Sequence, residues 1–245
     1  MRKTVAVISL ALFATSLTGC GQGVTNTAAP TRAPAVSGQA SAFSSYAPAS
    51  ARDLRFYSPL RPGGAAVDLV RQPASLAAAY DEATATILAQ VADVRPGRTI
   101  KDLQFIVVEL QTTEVLQGAL RPELRGKVLV EFPVAFLPDS TAPMVKQMLA
   151  DIPKGQAVWL LRWEGEPPPT SKPGAGRDPT VDPTSYHTVH PNAGVFVQGP
   201  NRVISATAQP SEDGTPNTAT DAQAEAEAEK FASLADLAAH ARKSR

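Results

Sequence analysis

The sequence predicts a mainly β domain of five or six strands with one short internal helix and one C-terminal helix, set behind a disordered N-terminal tether. Three observations carry this expectation. Between Val67 and Ala208, apolar residues recur at period two in several separate runs, the pattern of strands with one buried and one wet face. The segment before it, 20–66, is dominated by Gly, Ser, Thr, Ala and Pro, and holds too little large apolar surface to offset its ordering entropy. Beyond a linker-like stretch at 209–220, residues 221–243 are rich in Ala, Glu and Leu and almost free of helix breakers.

Each element follows from local pattern. Ser75 to Glu82 reads as a short helical turn leading into a strand at Thr84–Val94, where Ala85, Ile87, Ala89 and Val91 share a face. Arg95-Pro96-Gly97-Arg98 reads as a turn. Phe105–Leu116 is the clearest strand, with Ile106, Val108, Leu110, Thr112 and Leu116 on one face and Glu109, Gln111 and Thr113 on the other. Gln117-Gly118 ends it. Lys127–Phe132 repeats the scheme with Val128, Val130 and Phe132 inward, and Gln156–Trp163 is apolar on both faces, as a central strand would be. Between these two, Ala142–Ala150 offers Met144, Val145, Met148 and Leu149 at helical spacing, with Pro143 at a helix start.

Residues 165–185 contain six prolines and three glycines and are expected to form an exposed insertion. Ala193–Gln198 and Arg202–Ala206 flank Gly199-Pro200-Asn201, which predicts a hairpin. In the 221–243 helix, Phe231, Leu234, Ala235, Leu237, Ala238 and Ala241 form an apolar stripe expected to dock on the domain. Ser233 and Asp236 make a capping pair if the stable helix starts there. Within the tether, Phe43, Tyr46, Phe56 and Tyr57 stand out as side chains that could strap onto the domain.

The amino terminus carries the strongest functional signal. Arg2 and Lys3 precede an apolar run from Val5 to Leu17, shorter than the roughly 20 residues of a spanning helix. Leu17-Thr18-Gly19-Cys20 follows, and it resembles the lipobox of bacterial lipoproteins position by position. That resemblance implies cleavage between Gly19 and Cys20, a diacylglyceryl group on the Cys20 thiol, an acylated amino terminus, and an extracytoplasmic protein held to a membrane by its lipid. Residues 1–19 are then the signal peptide. Cys20 is the one cysteine of the chain, so no disulfide forms within a molecule, and acylation would cap an otherwise exposed thiol. Two or more acyl chains anchor stably where one is marginal. Arg2 and Lys3 leave with the signal, so 23 Lys and Arg become 21 against 23 Asp and Glu, a net charge near −2. This balance argues against nucleic acid or anionic lipid as an electrostatic partner.

Candidate site residues are few. Trp159 and Trp163 share a face of the presumed central strand, where core packing is the ordinary role, but Trp163 adjoins the insertion and is a candidate rim residue of a binding groove. Tyr186-His187-Thr188-Val189-His190 re-enters the fold after the insertion, and Tyr186, His187 and His190 are candidates for the same surface. Two histidines three apart can share a metal only if the backbone turns and a third ligand arrives, so no metal is expected. Neither a G-x-S-x-G elbow, an S-x-x-K pattern nor a phosphate loop occurs, and no catalytic residue or cofactor is expected beyond the covalent lipid on Cys20.

The domain itself resembles a loose group of bacterial envelope and lipoprotein domains across about 74–206. The likeness lies in a first strand ending near Val91–Arg95, the closing Val115-Leu116-Gln117-Gly118, and the central Val158-Trp159-Leu160-Leu161-Arg162. Ala193–Val197 and Arg202-Val203-Ile204 also fit. The resemblance implies a small OB-like barrel and, with it, a binding module for an envelope protein or peptide. Alternatives are an envelope enzyme or its accessory subunit, and a structural spacer.

Overall fold

In the computed structural model, residues 46–61, 73–100, 103–124, 127–134, 141–163, 165, 182–208 and 223–244 are described. Gly19, Cys20, most of the 165–185 insertion and the 209–220 linker lie outside them.

The alternating segments become seven strands: β1 (Ala85–Ile100), β2 (Leu103–Gly118), β3 (Lys127–Val134), β4 (Ala157–Trp163), β5 (Tyr186–Thr188), β6 (Val195–Gln198) and β7 (Val203–Ser205). They run in the order β1-β2-β3-β5-β4-β6-β7, and β1 also pairs with β4. That extra pairing closes β1, β2, β3, β5 and β4 into a five-stranded barrel and leaves β6 and β7 outside it. Every pairing is antiparallel except β3 with β5. The fold is therefore mainly β and OB-like, with a helix, α3 (Thr141–Ala150), between β3 and β4.

Strand alternation sorts the apolar residues into two cores. Inside the barrel lie Val91, Ile106, Val108, Leu110, Val128, Val130, Phe132, Trp159 and Leu161. Trp159 is fully buried, with the rings of Tyr57 and Phe132 at 6.2 and 6.4 Å. Outside, Leu88, Val158, Leu160, Phe196 and Val203 form a second apolar layer. It is covered by α2 (Leu76–Glu82), α4 (Gln223–Ala228) and α5 (Leu234–Lys243). β4 feeds both cores, which is why its sequence is apolar on both faces.

Four expectations need correction. Arg95–Arg98 is not a turn: β1 runs on to Ile100, and Pro96 is accommodated opposite Ile106 next to a register shift, where a missing N–H costs least. Leu116 does not share the face of Leu110. Register shifts opposite Thr86/Ile87 and Leu88/Ala89 change the parity of β2, so Val115 packs toward the barrel interior and Leu116 toward the outer layer. Gly118 still ends the strand, at φ +70, where a Cβ would collide with the Thr84 carbonyl oxygen.

The segment before the domain is not all tether. Ala51–Tyr57 forms α1, started by a capping box in which Ser50 N–H donates to Asp53 Oδ2 (2.7 Å) and Asp53 N–H to Ser50 Oγ (3.2 Å). A 3₁₀ turn, Ser58–Leu60, follows. Phe56, Tyr57 and Leu60 are at most 3% exposed and belong to the barrel core. Arg52 and Arg55 pair with Asp151, just beyond α3, at 3.2 and 3.3 Å. These exposed ion pairs add little, so apolar burial holds the strap.

Finally, residues 221–243 are two helices rather than one. Between α4 and α5 the chain turns so that Phe231 C=O accepts from Val203 N–H (2.9 Å), which covers the edge of β7. Ser233 then caps α5, its hydroxyl accepting from Asp236 N–H at 3.1 Å, as the sequence suggests. Leu234, Leu237, Ala238 and Ala241 are fully buried against the sheet. Gln198 Oε1 accepts from Leu234 N–H (2.7 Å), and Arg242 grips both carboxylate oxygens of Glu114 at 2.7 Å.

Candidate functional site

The β4–β5 pairing places Trp163 opposite Tyr186, Arg162 opposite His187 and Leu161 opposite Thr188. Residues 23 apart in sequence thus meet at the end of the barrel where the 165–185 insertion leaves and returns. Their roles diverge with their faces. Tyr186 is fully buried, and its hydroxyl accepts from Arg121 N–H at 2.9 Å. It supports the rim from below and has no surface of its own. Trp163 is half-buried: its indole N–H donates to the Pro183 carbonyl (2.9 Å) and its backbone N–H to Thr84 Oγ1 (3.0 Å).

Over the Trp163 ring, at 3.7 Å from its centroid, lies the guanidinium of Arg121. Such a cation–π contact contributes about 0.5–2 kcal/mol. Arg121 is exposed, and among the described residues no carboxylate pairs with it. A guanidinium carries five N–H donors in a planar fork that suits a carboxylate. Sequence reasoning found Trp163 but not Arg121. Arg121 sits in the loop after β2, and nothing local marks it, because its partner is 42 positions away.

The two histidines do not act together. His187 is half-buried on the other face of β5; burial, and then the adjacent Arg162 charge, lower its pKa to about 4, so it is neutral near pH 7. His190 is fully buried in the following turn, where its Nδ1 accepts from Asn192 N–H at 3.1 Å. Among the described residues, no group of three or more His, Cys, Asp or Glu side chains is placed to hold a metal ion.

A concave feature of about 210 Å³ is a seam between the strap and the barrel, away from the Trp163 rim. Ala47–Ala49, Asp53 and Tyr57 line one side, and Pro153–Gln156, Val197 and Gln198 the other. It falls below the roughly 300–1,000 Å³ of ligand pockets. Three of its polar side chains are engaged structurally: Asp53 in the capping box, Gln156 Nε2 on Thr113 Oγ1 (2.9 Å), and Gln198 on Gly199, Ala232 and Leu234. On α4, Glu225 is pushed up to about 7 by burial and by Glu229, which pairs with Arg202 at 3.2 Å.

Fold and rim together define an OB-like barrel with an arginine stacked on a tryptophan at one end. No family model, curated protein or solved structure matches the chain. No helix among the described residues is long and apolar enough to cross a membrane.

Proposed function

We propose that this chain is a bacterial envelope lipoprotein, anchored through acylated Cys20, whose barrel is a binding module for an acidic group on an envelope protein or peptide. Leu17-Thr18-Gly19-Cys20 supports the anchor. The observation that carries the binding role is Arg121: exposed, held over the Trp163 ring and without a carboxylate partner among the described residues. Planar guanidinium and aromatic pairs of this kind recur as anchors of protein interfaces.

Affinity capture from the protein's own membranes tests this reading. Wild type should enrich a defined partner, and Arg121→Gln, which leaves the barrel folded, should lose it. Equal recovery of the same proteins by both would overturn the role given to the rim.

A further inference from the structure

We propose that the outward face built by α1, α3 and the turn after α3 lies against an anionic phospholipid surface, an orientation that rests on the lipid anchor proposed above. The chain joins the fold on this face: Ala47 lies beside Lys154 and Gly155. Residues 21–45 separate Cys20 from the first described residue, and a chain of that length reaches at most about 90 Å.

The face has the chemistry of a membrane contact. Arg52, Arg55, Lys146 and Lys154 place four cations on it against two carboxylates, Asp53 and Asp151. The mature chain as a whole carries an excess of acidic residues, so this concentration of basic charge is local. On α3 stands Leu149, 45% exposed and the one exposed large hydrophobic side chain among the described residues. Lys146 lies one helical turn before Leu149, and Arg52 donates to the carbonyl of Ala150 beside it; an apolar side chain with cations nearby suits an interfacial surface, where each cation gains from the negative potential of the leaflet. The turn at 153–156 precedes β4 and the Trp163 rim ends it, so seven residues, about 20 Å of strand, separate the two. The rim then points away from the bilayer, toward partners.

The test uses residues 20–245, which include every described element, with Cys20→Ser to remove acylation. This protein should float with phosphatidylcholine vesicles that contain phosphatidylglycerol, not with phosphatidylcholine alone, and raised salt should release it. Lys146→Gln with Lys154→Gln should lower partitioning about 30-fold, with thermal midpoint and circular dichroism unchanged because both lysines are exposed. Flotation of the double variant equal to wild type, or none with phosphatidylglycerol, would overturn the proposal. Acylation is read separately, from the mass of the N-terminal peptide of the host-made protein. Acylated Cys20 without vesicle binding refutes the orientation alone, whereas unmodified Cys20 refutes the anchor.

Discussion

A chain that begins at Val67, the boundary composition suggests, should be much less stable than one that begins at Tyr46. The difference is set by the strap. Phe56, Tyr57 and Leu60 are at most 3% exposed, and burying each contributes about 2 kcal/mol, so their loss removes about 6 kcal/mol. That is comparable to the whole stability of a domain, about 5–15 kcal/mol. The Arg52 and Arg55 pairs with Asp151 change this little, since both arginines are 56% exposed. Removal also uncovers the Trp159 end of the barrel core. Urea unfolding followed by tryptophan fluorescence measures the effect, and the shorter chain should show a lower midpoint or no cooperative transition. Phe56→Ala in the intact protein provides a milder version, expected to cost about 3–5 kcal/mol. Equal midpoints for the two chains would show that 46–61 is tether after all.

Leu234→Asp should destabilise by at least about 2 kcal/mol in thermal or urea melts, because it strips apolar burial and places a charge under α5; unchanged melting would mean that the helix does not dock. Gly118→Ala should cost at least about 2 kcal/mol, from the positive φ and the collision with Thr84, and a neutral effect in the same melts would contradict the strand end described. His187, lowered from 6.5 to about 4, contributes stability that is full above pH 6.5 and is lost as pH falls toward 4. Glu225, raised from 4.5 to about 7, contributes in the opposite sense, present below pH 4.5 and lost as pH rises through 7. The two slopes oppose each other between pH 4.5 and 6.5. Glu225→Gln should therefore leave stability rising with pH by up to about 1.4 kcal/mol per unit, and His187→Gln should leave it falling, in urea melts across that range. Parallel curves for the two variants would refute the assignment.

What the sequence disclosed depended on how local the cause was. β2, β3 and β4 alternate or fill both faces within a single run, and the Ser233 cap needs only three residues, so these were legible. The strap was hidden because Phe56, Tyr57 and Leu60 sit among Pro, Ser and Arg, and only a distant barrel end makes their burial favourable. Pro96 looked like a turn because the neighbouring register shift that tolerates it is a property of the pairing with β2. The tail helix divides where Phe231 reaches the edge of β7, with no breaker residue to announce it. At the site, Trp163, Tyr186 and His187 were found as neighbours of the insertion, but their separate faces follow from the β4–β5 register. Arg121 required the tertiary fold, and the burial of Tyr186 and His190 could not be read from composition.

The lipid on Cys20 is the claim on which location and orientation both depend, and metabolic labelling with palmitate tests it most directly. Wild type should incorporate label and yield an N-terminal peptide that begins at Cys20 with its thiol acylated. Cys20→Ser should take up none and retain residues 1–19. Labelling of Cys20→Ser at the wild-type level, or a wild-type peptide with unmodified Cys20, would contradict the lipoprotein reading.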